Sequence, residues 1–161
     1  MSIWGAGIAE NDDAADWLGD FMDEPSLLLL NDAFDEVLGG SDYLEVTEGS
    51  AALVAAQIVA ELFGKAGQQP LLQDEDADEE LVDGLKKSIR KLHPSAKLQL
   101  VERALRAVIL VAYGAETSEL HQLVHEDPEV ASQWLKTVQG LEKRLVQVKN
   151  KWAQAQGGAD K

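Results

Sequence analysis

Apolar residues recur at helical spacing through most of the chain. Beyond Asn11 and Asp12, the side chains of Ala14, Trp17, Leu18, Phe21 and Met22 fall on one side of a helix, and Asp13, Asp16 and Asp20 on the other. Asn11 or Asp12 suits the N-cap, because a short side-chain oxygen accepts from the free amides of the first turn. Pro25 fits a first helical position. The segment it opens carries Leu27, Leu30, Phe34 and Val37 as a stripe to Leu38, and Gly39-Gly40-Ser41 ends it. Asp42 to Val46 reads as an extended connector. Thr47 opens a third helix that runs to about Phe63, with Gly64 as its stop. This helix is apolar on nearly every side and rich in Ala, which places it among close neighbours.

A polar, acidic linker from Gly67 to Glu80 leads to a short amphipathic helix, Leu81 to Leu92, and His93-Pro94 reads as a break. A second mostly apolar helix spans about Leu98 to Tyr113, with Val101, Ala104, Leu105, Val108, Ile109 and Ala112 in register, and Gly114 stops it. Thr117 or Ser118 starts a brief helix to His125. Asp127-Pro128 then opens the longest helix, since Asp caps and Pro fits the first turn. Its stripe is Val130, Trp134, Val138, Leu141, Leu145, Val148 and Trp152, and Lys149 and Lys151 complement the dipole near its end. Each apolar side chain of the stripe contributes about 1.5–3 kcal/mol when fully buried, so the seam requires a surface to pack on. The predicted fold is all-α: a compact multi-helix array with two central apolar helices, a long C-terminal amphipathic helix, and a short β element around Ile3 to Ile8. Residues 1–153 are expected to form a single helical domain, and residues 154–161 a flexible C-terminal tail.

A length of 161 residues suits one domain with one core. Charge changes the picture more. The net charge is −15, and from Met1 to Gly64 there are fourteen acidic residues and no Lys or Arg, whereas the stretch from Ala96 onward is nearly balanced. Such a field repels nucleic acid and anionic membrane and attracts basic proteins. There is no cysteine, which excludes a disulfide scaffold, thiolate zinc sites and a cysteine nucleophile, and fits a reducing compartment. The N-terminus lacks the basic and apolar regions of a secretory signal. The apolar run Ala51 to Ala56 is far short of the roughly 18 residues of a membrane span. These features lead us to expect a cytoplasmic protein.

Several motifs invite chemistry and fall short of it. Gly5-x-Gly7 begins a phosphate-loop pattern, but the third glycine position is Glu10, whose carboxylate would face the phosphates. A tight turn that tucks Trp4 under the first helix explains the glycines better. Asp74-x-Asp76-x-Asp78 matches half of a calcium loop, yet Glu79 replaces the required Gly and Leu85 the final bidentate acid. His121 and His125 have the i, i+4 spacing of a zinc helix, but Gln122 replaces the Glu of a metalloprotease, and exposed helical histidines account for the pair. Asp12, Asp13 and Asp16 serve capping and dipole compensation, or a binding face, more readily than acid–base catalysis. No cofactor or metal ligand set is expected.

Three segments together resemble a bacterial domain-of-unknown-function family, numbered 4259. They are Trp4-Gly5-Ala6-Gly7-Ile8 with Glu10-Asn11-Asp12-Asp13-Ala14-Ala15-Asp16-Trp17-Leu18; Tyr43-Leu44-Glu45 leading into Ala51 to Ala60; and Ser118-Glu119-Leu120 with Trp134-Leu135 and Leu141 to Leu145. The chain departs from the family pattern at Ser2, Ala9 and Val124, where Gly, an aromatic residue and Trp are usual. The resemblance implies a fold and a lineage and carries no catalytic role to any residue.

The function expected from these features is that of an acidic protein-binding module, not an enzyme. In its sharpest form it is an immunity or antitoxin-like protein that neutralises a basic toxin domain. The docking surface is the acidic stretch from Glu10 to Glu61, with Asp12, Asp13, Asp16, Asp20, Asp35 and Glu36 as its contact residues. Two alternatives stand beside it: a metal- or carboxylate-dependent enzyme, and a structural subunit that associates through the Trp134–Trp152 seam.

Overall fold

The Ala-rich helix expected from Thr47 runs over Val46–Leu62, and every residue from Gly49 to Glu61 is buried. In this computed structural model, which describes residues 5–73 and 77–159, it is the third of seven helices. They are α1 (Asp12–Asp23), α2 (Leu27–Leu38), α3 (Val46–Leu62), α4 (Glu79–Arg90), α5 (Pro94–Tyr113), α6 (Glu119–Val124) and α7 (Pro128–Ala159). α3 packs against α1, α2, α5, α6 and α7, and α5 against α2, α3, α6 and α7. These two are the central helices the sequence predicts. Ala52, Ala55, Ala56 and Ala60 of α3 and Ala104, Ala107 and Ala112 of α5 are fully buried. Side chains this small let axes approach at the short end of the usual range of about 8–10 Å. That proximity is how one helix can touch five others.

Capping chemistry sets the boundaries. Asn11 is the N-cap of α1, its Oδ1 accepting from Ala14 N at 2.8 Å. Asp127 caps α7, with Pro128 as its first residue, and accepts from Glu129 N at 3.0 Å. Two prolines act differently from expectation. Pro25 lies outside α2, because Ser26 takes the cap through its hydroxyl, accepting from Leu29 N at 3.2 Å. Pro94 starts α5 instead of breaking the chain: its fixed φ suits the first turn, and His93 Nδ1 accepts from Ser95 N at 3.1 Å. The last helix also exceeds expectation. It continues through Gln154 to Ala159, where the sequence suggested a tail. Extending a helix needs no new nucleus, and Ala153-Gln154-Ala155-Gln156 is rich in helix formers. Lys149 and Lys151 therefore lie well inside α7, away from its terminal turn.

The stripe of α7 is covered from within. Trp134, Val138, Leu141, Leu145 and Val148 are buried, and α7 packs against α5, α3 and α6. Trp152 meets Phe63 edge-on at 6.1 Å, with Lys97 Nζ 4.5 Å from its ring centroid. From Trp134 to Val148 the seam is thus spent on the fold, and Val130 and Trp152 at its ends are half-buried. Of the β element expected at Ile3 to Ile8, residues 5–8 form bends and a turn, and Ile3 and Trp4 lie outside the described residues. Extended pairing occurs instead at the connector, where Leu44 bridges Ser118 in parallel. Leu44 N donates to Thr117 O at 2.7 Å, and Glu119 N to Leu44 O at 2.9 Å. This ties the α2–α3 connector to the start of α6. Among the described residues no helix is long and apolar enough to cross a membrane.

Candidate functional site

The acids of the first two helices divide into those that face out and those the fold uses. Asp12, Asp16 and Asp20 are exposed at i, i+4 and i+8 along α1, which leaves Ala14 and Phe21 for the core. Asp32, Asp35 and Glu36 are exposed along α2. Both helices pack on α3. Asp13 is half-buried and accepts a long hydrogen bond, 3.4 Å, from Thr47 Oγ1. Asp35 pairs with Arg103 of α5, which also donates to Asn31 O at 3.2 Å. This is the one ion pair within 4 Å among the described residues. Of the six predicted contact residues, Asp12, Asp16, Asp20 and Glu36 are thus exposed, while Asp13 and Asp35 join α1 to α3 and α2 to α5.

The two ends of the expected docking stretch are turned to internal use. Glu10 folds back over the glycine turn, and Gly7 N donates to its Oε1 at 2.9 Å. A Cβ on Gly5 or Gly7 would overlap the Glu10 carboxylate. The loop that resembled a phosphate cradle is filled by the chain's own carboxylate. Trp4, expected beneath α1, lies outside the described residues. Gly7→Ala and Glu10→Ala should each cost about 1.5 kcal/mol, the worth of a hydrogen bond to a charged acceptor. The double variant should be no worse than Glu10→Ala, because both changes break the same contact. Fully additive losses in urea denaturation would refute the shared contact.

Glu61 is buried at the end of α3. Its Oε2 accepts from Gln57 Nε2 at 2.9 Å and Leu71 N at 2.8 Å, and its Oε1 from Leu72 N at 2.9 Å. Arg144 of α7 closes the other side of the loop, donating to the carbonyls of Lys65 and Ala66 at 2.9 Å each. Burial pushes the Arg144 guanidinium below its ordinary pKa, and the nearby Glu61 charge opposes that shift. Gly67, at φ 75°, leaves room where a Cβ would sit 2.7 Å from Arg144 Cζ. These groups clamp the segment after α3 and are unavailable to a partner.

The remaining motifs are also held locally. The His121 and His125 rings stack at 3.9 Å, and each meets the Trp134 ring edge-on. His121 Nδ1 lies 2.7 Å from Ala112 O, and His125 Nδ1 2.7 Å from His121 O, so each donates to a main-chain carbonyl. His121 is half-buried and not exposed as expected. The pair joins α6 to α5 and α7. Of the calcium-like acids, Asp74 and Asp76 lie outside the described residues, and Asp78 caps α4 by accepting from Glu80 N at 3.0 Å. Among the described residues no group of three or more His, Asp or Glu side chains is placed to hold a metal ion.

One surface feature is not apparent from the acidic pattern. The C-terminal end of α2, the connector and the C-terminal part of α5 enclose a groove of about 340 Å³, lined by Val37, Leu38, Leu44 and Leu110 with Gly40, Ser41, Asp42 and Thr117. Leu110 is 45% exposed, and Ile109 and Tyr113 beside it are 41% and 43%. With Arg106 they form an exposed i, i+3, i+4, i+7 stripe on a central helix. The sequence reading placed Ile109 in the core register, so its exposure is a correction. The available signal was that α5 is apolar over more of its circumference than its neighbours cover. Tyr113 donates to Glu142 Oε2 at 2.5 Å, and that bond, then burial, raises its pKa to about 12.

A family model described as Domain of unknown function (DUF4259) matches residues 2–137. The match takes in the N-terminal motif, the Ala-rich helix and Trp134-Leu135, and stops before Leu141 to Leu145. No curated protein and no solved structure matches the chain.

Proposed function

Given that this chain belongs to the DUF4259 family, whose description carries no activity, we propose from its surface that it is an acidic protein-binding module acting in the cytoplasm on a basic protein partner. The sharpest form of the reading is an immunity or antitoxin-like protein that covers the basic active surface of a toxin domain. The observation that supports it is the outward placement of Asp12, Asp16, Asp20 and Glu36 on two helices that contain no Lys or Arg. Solubility alone needs net charge and does not need one sign kept to two consecutive helices that both pack on α3. A gathered field steers an oppositely charged partner and raises its on-rate by about 10- to 1000-fold.

The test takes the partner captured by this protein in a pull-down, with growth rescue on co-expression and association kinetics as readouts. The on-rate should fall steeply as salt shortens the Debye length from about 10 Å at 0.1 M toward 3 Å at 1 M. Lysine at Asp16, Asp20 and Glu36 together should slow association about tenfold at low salt and leave thermal stability unchanged. Asp13 and Asp35 are left intact, since their bonds to Thr47 and Arg103 would confound the result. An on-rate indifferent to both salt and charge reversal would defeat this reading.

A further inference from the structure

We propose that the groove between α2 and α5 is the seat of an apolar anchor from a basic, amphipathic segment of the partner, an inference that rests on the acidic-docking reading above. Its walls are apolar: Val37 and Leu38 from α2, Leu44 from the connector, and Leu110 from α5. Its volume of about 340 Å³ accepts one or two large side chains. The outer stripe of α5 extends the apolar surface along Ile109 and Tyr113. Three exposed large apolar side chains on one face of a central helix are what a docking patch presents, whereas isolated exposed residues are ordinary.

The rim selects the occupant. Asp42 lines the groove, Glu36 precedes Val37, and Glu116 precedes Thr117; all three are exposed, with Arg106 the base on the adjoining stripe. Lys or Arg flanking the anchor would meet these carboxylates, which gives orientation and rate while the buried anchor gives affinity. A second copy of this chain is a poor fit. A symmetric contact would bring each rim against its own image in a molecule of net charge −15. The Leu44–Ser118 bridge fixes the floor of the groove, so the site is preformed and little ordering is required on binding.

The probe is a synthetic amphipathic helix of Leu and Lys about four turns long, compared with a Leu and Glu helix of the same pattern. Binding is measured by calorimetry and located from amide shifts. The Leu/Lys helix should bind, with shifts concentrated on residues 37–44 and 106–117, and the Leu/Glu helix should not. Leu110→Ser should weaken binding about tenfold, while Leu28→Ser, which alters a more exposed leucine outside the groove, should change it less than about twofold. Circular dichroism verifies that both variants fold. Shifts confined to α1 would overturn the groove and leave the acidic-docking reading standing. Failure of the Leu/Lys helix to bind anywhere would overturn both. Equal binding of the Leu/Glu helix, or self-association that Leu110→Ser abolishes, would overturn the choice of occupant.

Discussion

Ala55→Asp and Ala104→Asp should each abolish the cooperative thermal transition, whereas Ala115→Asp, on an exposed turn, should leave it in place. Ala55 and Ala104 are fully buried on the two helices that the rest of the structure packs against. An unpaired carboxylate there loses hydration and finds no cation. It also needs three more heavy atoms of space in a core already close-packed. The cost is several kcal/mol for the polar group alone, set against about 5–15 kcal/mol for a whole domain. The acid can lower its cost by staying protonated, but the steric demand remains. Thermal melts followed by circular dichroism check the outcome. A buried-site variant that melts like its parent would mean that the helix concerned is not at the centre.

The helices that could be read from sequence are those whose signals agree. Asn11 and Asp127 are short polar residues just ahead of apolar stripes, and both cap the helices expected of them. The apolar character of Ala51 to Ala60, interrupted by Gln57 alone, led directly to a central position, because no solvent face can be drawn on it. Pro94 misled because a proline either breaks a helix or begins one, and only the His93 and Ser95 contacts decide which. Ile109 misled for a different reason. Periodicity assigns a residue to a face, but whether that face is covered depends on how far α2 and α7 reach along α5. The acids are the clearest case. Sequence gives the sign of fourteen charges and cannot say which are spent on the fold. Asp16 and Asp20 project outward, while Glu61, four residues after the buried Gln57, turns inward to the backbone. An acid in the last turn of a largely apolar helix is a signal for such a role, since burial without partners would be too costly.

Replacing Glu61 should therefore destabilise the protein far more than replacing any outward acid. Glu61→Ala removes the acceptor from three donors at once: Leu71 N, Leu72 N and Gln57 Nε2. A buried donor left unsatisfied costs about 1–3 kcal/mol, so even with partial relaxation the loss should reach about 3 kcal/mol. Arg144 would also lose the opposing charge that offsets its burial. Amide hydrogen exchange at Leu71 and Leu72 should accelerate well beyond that of the α3 core, while Asp20→Ala should change neither stability nor exchange. Glu61→Leu is the more discriminating variant. Buried ion pairs can often be exchanged for apolar residues at no loss, because both charged partners are removed together. Here two of the partners are main-chain amides, which no substitution at other positions takes away. Leucine fills the space and satisfies none of them, so Glu61→Leu should be as destabilised as Glu61→Ala. A Glu61→Leu protein as stable as its parent would show that water reaches those amides, and that the clamp holds the segment after α3 by packing alone.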